Sequence, residues 1–382
     1  MRTVLFCETG SGFGGSTESL YLLLSGLDRW RIRPVVVASR EGEAMRKIRA
    51  LGIPVYVLPV PEAKPRGYLA TGIWLLRVEW ARYRRISRLL RREQIELVHT
   101  NNDLYSSLAV LAAARRQKLP IVCHLRLTRR PTRLERRIGR WVDRIIVLTE
   151  EAKAFYQRVW PAARITCIPN GVPIPEPSQP VSPLRERLRL PSTQRIVGLI
   201  ARCVPGKGYE EFIQAARLVR AERADVTFVI LGNGRGGDAA YEARVHGLAE
   251  ALGLDGALIW GGWHPAAADV YGALDIVVQA SSTFPEGLSR VVLEAMAFSK
   301  AVIATDIVGN REAVVPQETG LLVKPGSAEA LAEAIVALVR DPERAARYGA
   351  QGRARAAARF SVQVCAARMR ELYDEVFRQA GT

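Results

Sequence analysis

Short apolar runs separated by longer helix-periodic segments mark this chain from end to end. In the first half the runs are TVLFC, PVVVAS, PVYVLP, ELVHT, PIVCHL, RIIVLT and RITCIPN. Strand-like runs alternating with helical patterns predict a parallel sheet with helices on both faces. From Pro173 to Pro183 the segment PIPEPSQPVSP then packs five prolines into eleven residues. Proline-rich, weakly charged and unpatterned, it predicts an interdomain linker. A second alternation follows: RIVGLIA, VTFVILG, ALIWGG, DIVVQAS, AVIAT and GLLVKP. The expectation is therefore two doubly wound α/β domains in series, over residues 1–172 and 184–360, joined by 173–183. The tail, 361–382, holds one more amphipathic helix from about Val362 to Gln379. Whether that helix stays with the second domain or crosses back to the first is open at this point.

Ligands of open α/β sheets bind beyond the carboxyl ends of the strands. That rule singles out His99 at the end of ELVHT, His124 at the end of PIVCHL and Arg202 after VGLIA. It also singles out Gly232 after FVIL and Ser281 after IVVQA. If the two domains face each other, all five line one crevice.

Composition narrows the class. The 382 residues, 48% hydrophobic and 24% charged, suffice for two or three domains with real cores, which excludes disordered and fibrous chains. The five cysteines, Cys7, Cys123, Cys167, Cys203 and Cys365, are scattered and form no CxxC. They predict buried thiols in a reduced, cytosolic compartment, with no disulfide frame and no metal site. The opening MRTVLFCETGSG has too short an apolar run for a signal peptide and reads as a first buried strand. No run approaches about 18 uninterrupted apolar residues, so no spanning helix is expected.

Charge changes the picture more. Of the net +17, residues 1–175 carry 31 Lys+Arg against 14 Asp+Glu, whereas residues 176–382 carry 24 of each. A one-sided basic domain points to an anionic partner: membrane lipid, nucleic acid or a phosphorylated acceptor. Its loudest feature is a helix expected over Tyr68–Arg92, within a segment from Lys64 to Arg92 holding nine Lys/Arg and one Glu. Leu69, Ile73, Leu76, Trp80, Tyr83 and Leu90 recur at helical spacing, and Trp74 and Trp80 offer interfacial anchors. Residues 115–144 add eleven Lys/Arg against Glu135 and Asp143. Two readings stand. One is a core-packed helix with a solvated arginine face. The other is attachment of 64–92 and 115–144 to an anionic membrane, where each cation contributes about 1 kcal/mol.

Three motifs carry candidate chemistry. GSGFGGSTESL, Gly10–Leu20, is either a plain strand–helix turn or a loop whose amides meet a phosphate or an acceptor. Its spacing is not a dinucleotide fingerprint. IARCVPGKGYEEF sets Arg202 and Lys207 five apart in a loop that opens a helix. Two cations beside a helix N-terminus suit a diphosphate, although such a pair is often just solvated charge. FPEGLSRVVLEAM places Glu286 between Pro285 and Gly287, and Glu294 eight positions on, about two turns into a helix expected from Leu288. At about 1.5 Å per residue the two carboxylates lie on the order of 10 Å apart. That is awkward for a glycosidase acid pair, about 5–9.5 Å apart, and better suited to the two ends of one long ligand. The bland alternative is a capping acid plus an exposed helical one. His264, in GGWHP, reads as a loop residue without a functional role.

IPNGV at 168–172, Arg202-x4-Lys207-Gly208, LGNG at 231–234 and EGLSRVVLEAMA at 286–297 occur in this order, followed by AVIATDIVGNREAV and TGLLVKPG. Together they resemble family 4 of the retaining glycosyltransferases, which have the GT-B fold: α/β, two doubly wound Rossmann-like domains facing a central cleft. The resemblance covers the second domain and, more loosely, the first through GGSTESL, VHTNN and VCHLR. It implies that Glu286 holds hydroxyls of the donor sugar, aided by the amides of Gly287, Leu288 and Ser289, and that Glu294 binds the ribose. It implies that Arg202 and Lys207 neutralise the departing diphosphate, so that no metal and no cofactor beyond the sugar nucleotide are needed. His124 would sit by the reacting sugar or acceptor. Gly14, Gly15 and Gly232 would complete the donor-binding set, with Gly14 and Gly15 also lining the acceptor side beside His99, Asn101 and Arg126.

The implied function is retaining, metal-independent transfer of a hexosyl group from a nucleotide-diphosphate sugar to a lipid-linked or cell-envelope glycan. The first domain would bind the acceptor and the second the nucleotide sugar, and the protein would be cytoplasmic and peripheral on the inner face of the membrane. The chain departs from the family at Pro173, where an acid is frequent, and at Asn310-Arg311, where Gly/Pro-like turns are common. A nucleotide-sugar 2-epimerase shares the architecture and would need no acceptor. A nucleic-acid-binding protein would fit the charge, but no RRM, KH or zinc-finger signature is present and the donor motifs would then be idle, so no nucleic acid is expected.

Overall fold

The structure is a computed structural model describing residues 1–10, 14–29, 31–59, 68–176, 182–191, 193–234, 236–284 and 286–381, and the side chains of 68–76 also fall outside it. Lys64, residues 11–13 of the glycine loop, Trp74 as a side chain, 177–181 of the proline-rich segment and Pro285 therefore lie outside the described residues.

All thirteen apolar runs form strands. In the first unit these are β1 (Arg2–Glu8), β2 (Ile32–Ala38), β3 (Val55–Val57), β4 (Leu97–Thr100), β5 (Ile121–His124), β6 (Arg144–Val147) and β7 (Ile165–Cys167). In the second they are β8 (Arg195–Ile200), β9 (Val226–Leu231), β10 (Leu258–Gly262), β11 (Ile276–Gln279), β12 (Ala301–Thr305) and β13 (Leu321–Val323). Described strand pairs are parallel, in the orders β3-β2-β1-β4-β5-β6-β7 and β10-β9-β8-β11-β12-β13. Each order reverses direction once, between β1 and β4 and between β8 and β11. In a doubly wound sheet those reversals are where a crevice opens at the strands' carboxyl ends.

The strands read as unbroken apolar runs because both faces are covered. Along β1, Leu5 and Cys7 enter one core with Val35, Val98 and Ile145, while Val4 and Phe6 enter another with Leu20, Val36 and Leu97. Each such fully buried side chain contributes about 1.5–3 kcal/mol over its exposed state.

Helix Val362–Ala380 presents Cys365, Ala366, Met369, Leu372, Tyr373, Val376 and Phe377 to the Phe6 and Leu20 core. The spacing is that of one helical face. Residues Val362–Thr382 accordingly belong with Met1–Gly171 in one compact unit, and Val172–Ser361 form the other. The expected linker is shorter than its prolines suggested. Pro183 is already the first residue of helix Pro183–Arg187, whose start is capped by the Ser182 hydroxyl accepting from the Leu184 amide at 3.2 Å. Proline suits that first position because its missing N–H has no helical partner anyway.

Candidate active site

In the second unit, two loops meet at the β8/β11 reversal. The loop after β8 carries Arg202 and Lys207, and the loop after β11 carries Ser281, Phe284 and Glu286. They fit because Gly208 sits at φ +80°, where a Cβ would lie 2.1 Å from the Ala280 carbonyl oxygen. Only glycine combines that conformation with that approach. The amides of Ser282 and Phe284 donate to the Gly206 carbonyl at 3.0 and 3.3 Å. The cation of Lys207 lies 3.9 Å from the centre of the Phe284 ring, and the Arg202 guanidinium 5.9 Å from it. One aromatic ring thus gathers both expected cations. Lys207 also bonds directly to Glu286 Oε1. The sequence reading kept these two residues in separate roles, and the structure joins them.

Behind Glu286 runs a buried polar chain that the sequence reading missed. Ser281 Oγ donates to Glu286 Oε1 at 2.9 Å, Gln279 Nε2 donates to Ser281 Oγ at 2.8 Å, and Asn310 Nδ2 donates to Gln279 Oε1 at 2.6 Å. Asn310 is wholly buried. The position that departs from the family pattern is therefore an anchor. The neighbouring Gly309 allows the close packing: a Cβ there would stand 2.0 Å from the Gly287 carbonyl oxygen.

Helix Arg290–Ala297 begins two residues later than expected, with Ser289 as its cap position and no side chain bonding its first turn. Glu294 is its fifth residue, about one turn in rather than two. Gly287 precedes this start, and Leu288 and Ser289 are buried against it. Among the described residues the amides of Gly287, Leu288 and Ser289 donate to nothing. A helix N-terminus with unsatisfied amides attracts anions. Glu294 is held at both oxygens, by Arg290 at Oε1 and by the Tyr271 hydroxyl at Oε2, 2.8 Å away. Burial first, and then the Glu294 charge, push the Tyr271 phenol well above its ordinary range, so it stays a donor. Gly232, at the end of β9, packs against the Ala201 carbonyl next to Arg202 and donates its amide to Gly262 at 2.8 Å. His264 is held within its loop: its Nε2 meets the Gly261 carbonyl at 2.7 Å and its Nδ1 the Arg187 guanidinium at 2.5 Å.

The first unit holds a second polar cluster at the β1/β4 reversal. Glu8, which ends β1, accepts from the Gly10 amide at 2.7 Å, from Asn101 Nδ2 at 2.5 Å and from Asn102. Arg126 donates through Nε to the Asn101 carbonyl at 3.0 Å, and its two terminal nitrogens reach the side chains of Asn101 and Asn170. His99, Asn101 and Arg126 are all buried. Arg126 thus binds Asn101 and Asn170, whereas His99 pairs with Tyr373, and these polar groups are engaged within the first unit because β4 and β5 are central strands covered on both faces. Glu8 and Asn102 were not singled out, although the strand-end rule that selects His99 selects Glu8 equally. Gly14 caps helix Gly15–Gly26, whose start closes this cluster through the Ser16 carbonyl, 3.2 Å from Asn101 Nδ2.

His99 lies between Phe6, Tyr373 and His124, with ring centroids at 5.2, 5.9 and 5.8 Å. Its Nδ1 pairs with the Tyr373 hydroxyl at 2.5 Å. Burial, reinforced by the Arg126 charge, pulls the His99 imidazole down to about 3. Burial, then Arg126 and His99, lower His124 in the same direction. Both are neutral at physiological pH. Neither ring nitrogen of His124 has a partner among the described residues.

Comparison with known proteins gives the family and the fold. The family model for glycosyl transferases group 1 matches residues 181–355, and that for Glycosyltransferase Family 4 matches residues 13–175. The chain belongs to the family 4, group 1 glycosyltransferases. A GDP-mannose-dependent monoacylated alpha-(1-6)-phosphatidylinositol monomannoside mannosyltransferase of Corynebacterium glutamicum is 32% identical over 212 residues, 53% of this chain. The match spans 54% of that relative, about half its length. The lipopolysaccharide core biosynthesis mannosyltransferase LpsB of Rhizobium meliloti is 27% identical over 267 residues, covering 69% of this chain and 74% of LpsB. Among solved structures, Anabaena HepE in complex with UDP and glucose superposes with a TM-score of 0.83 at 23% identity, covering 98% of this chain and 100% of HepE. A Rickettsia africae glycosyltransferase gives 0.85 at 19%, covering 98% of each chain. The fold is that of the GT-B glycosyltransferases.

Proposed function

We propose that the protein transfers a hexosyl group from a nucleotide-diphosphate sugar to a lipid-linked or cell-envelope glycan, with retention and without a metal. The observation that carries this reading is the meeting of Arg202, Lys207 and Phe284 with Glu286 and the uncapped helix start at Ser289, all at the β8/β11 reversal. Negative charge grows on the diphosphate as the glycosidic bond breaks, and fixed cations with aligned amides stabilise that charge without reorganising. Arg202 and Lys207 meet the diphosphate, the amides of Gly287–Ser289 face the anion, Glu286 accepts from sugar hydroxyls and Glu294 from the ribose. In this reading His124, neutral and with no ring-nitrogen partner among the described residues, serves the reacting sugar or the acceptor. The relatives' names support the acceptor class: one names a phosphatidylinositol glycolipid, the other lipopolysaccharide core biosynthesis.

The test is nucleoside-diphosphate release with glycolipid acceptor, for wild type, Glu286→Ala and Arg202→Ala, with and without EDTA. The reading expects both variants to lose turnover and EDTA to change nothing. Unchanged turnover in both variants would sink the site assignment. Sugar isomerisation without acceptor would make the protein an epimerase.

The acceptor class implies work at a membrane surface. No helix among the described residues is long and apolar enough to cross a membrane. Helix Tyr68–Arg92 instead exposes Arg77, Trp80, Arg84, Arg85, Arg88, Arg91 and Arg92, with the Arg84 guanidinium 4.7 Å from the Trp80 ring centre. Not every arginine faces out: Arg82 is buried and bonds Glu79 at 2.9 Å. Leu127 and Leu134 are exposed among the arginines of 129–140. This surface suits an anionic leaflet, where each cation contributes about 1 kcal/mol. Co-sedimentation with anionic but not neutral vesicles is expected, and equal, negligible binding to both refutes it.

A further inference from the structure

Glu286 is asymmetric. Bonds from Lys207 and Ser281, and a longer one of 3.4 Å from Gln279, all fall on Oε1. No described residue donates to Oε2. The chain behind Oε1 also has a direction. Asn310 Nδ2 donates to two oxygens, the Thr305 carbonyl at 2.8 Å and Gln279 Oε1 at 2.6 Å. Turning that amide over would set oxygen against oxygen, so its orientation is fixed. Gln279, accepting at Oε1, must then present Nε2 to Ser281 Oγ, which fills the hydroxyl's acceptor side. The Ser281 proton is left with Glu286 as its target. Thr305 Oγ1 holds the Ser281 carbonyl at 2.6 Å and keeps the strand end in place. Asn310, Gln279, Ser281 and Thr305 are all buried, so water does not compete along the chain.

We propose that Asn310, Gln279 and Ser281 are positioning residues of the transfer reaction: a one-way hydrogen-bond chain that saturates Glu286 Oε1 and presents Oε2 to the hydroxyls of the sugar being transferred. This rests on the reading of Glu286 as the sugar-binding acid. None of Asn310, Gln279 and Ser281 is assigned to the nucleotide or diphosphate in that reading, so loss of the chain is expected to weaken recognition of the sugar more than recognition of the nucleotide.

The experiment compares Ser281→Ala, Asn310→Asp, Glu286→Gln and the double variant Ser281→Ala/Glu286→Gln. Ser281→Ala deletes the last link with little change of volume. Asn310→Asp sets a carboxylate against Gln279 Oε1, which forces the glutamine amide over and draws the Ser281 proton away from Glu286. The readouts are kcat/KM for UDP-glucose or GDP-mannose, whichever wild type turns over, and Kd for UDP or GDP alone. A hydrogen bond to a charged group lost in this way lowers kcat/KM by about tenfold or more. The expected result is that loss in both single chain variants, with the nucleoside-diphosphate Kd within about threefold of wild type. In the Glu286→Gln background Ser281→Ala should add little, since linked residues are non-additive. Equal losses in sugar-donor kcat/KM and nucleoside-diphosphate affinity, or full additivity in the double variant, overturn the proposal. If Glu286→Gln cripples transfer while Ser281→Ala and Asn310→Asp do not, the chain fails and the site reading stands. If Glu286→Gln is itself silent, the site reading fails.

Discussion

The hydroxyl of Tyr373, on the C-terminal helix, lies 2.5 Å from Nδ1 of His99, at the end of a central strand of the same unit. Both residues are buried, and His99 Nε2 has no partner among the described residues. Tyr373→Phe strips the remaining partner from a buried imidazole and should cost about 1–3 kcal/mol in urea unfolding. The same site sets a pH dependence. His99 is held down to about 3, and His124 is lowered too, so the unfolded chain binds protons that the folded one refuses. Stability from these groups is complete above the ordinary histidine value near 6.5 and falls as pH drops below it; for His99 the fall continues toward about 3, at up to about 1.4 kcal/mol per pH unit, and His124 adds to it in the same direction. Unfolding free energies at pH 7.5, 6.5 and 5.5 should decline in wild type and less steeply in His99→Gln. Equal slopes in the two proteins would exclude His99 as the titrating group.

Glu8 is the acceptor hub of the first unit, with donors at both oxygens. Glu8→Gln keeps the shape but turns one oxygen into an NH2 facing a donor. A loss of about 1–3 kcal/mol is expected from the unpaired group, read as a lower midpoint in denaturant at unchanged m value. A variant as stable as wild type would mean that the two asparagines satisfy themselves elsewhere.

The contrast between the strands and these clusters shows what the sequence carries and what it hides. Every strand was legible because parallel strands covered on both faces write themselves as short apolar runs. The loops after β8 and β11 were legible because charge and glycine at strand ends are rare in a core. The burial of His99, Asn101 and Arg126 was not, since it comes from register: His99 lies beside Phe6 on β1 and Val122 on β5, far away in the chain. Asn310 was noticed only as an oddity, because its partner Gln279 is 31 residues away. The start of helix Arg290–Ala297 slipped by two residues because Leu288 looks helical by its apolar character yet serves as packing ahead of the cap. The tail helix gave its own apolar face but not the face it meets.

Two glycines should behave oppositely. At Gly309 an added Cβ would stand 2.0 Å from the Gly287 carbonyl oxygen, whereas at Gly247, inside helix Ala239–Ala251, it meets nothing within 4 Å. Gly309→Ala must push the segment that presents the Gly287–Ser289 amides, so nucleoside-diphosphate affinity should drop by about tenfold, as for the loss of one charge-assisted hydrogen bond. Gly247→Ala should leave binding alone and stabilise the fold by about 0.5–1 kcal/mol through helix propensity. Calorimetric titration with UDP or GDP and thermal unfolding decide both. Intact affinity in Gly309→Ala would detach those amides from the anion.

Tyr271 tests the other end of the ligand. Its hydroxyl donates to Glu294 Oε2 at 2.8 Å while Arg290 holds Oε1, and its ring stacks on Phe298 with centroids 5.1 Å apart. Tyr271→Phe keeps the stack and frees one carboxylate oxygen to turn away from the ribose. Affinity for the nucleoside diphosphate should fall by about tenfold or more, the worth of one hydrogen bond to a charged group. The ratio of kcat/KM values between two sugars on the same nucleotide should stay unchanged. Ser281→Ala is expected to do the reverse, altering that ratio and sparing the nucleotide. The two substitutions flank one helix start, so a general loosening of the loop would move both readouts in both variants. Separation of the effects requires that Glu286 and Glu294 hold different parts of the donor, and a shared pattern of loss would show that they do not.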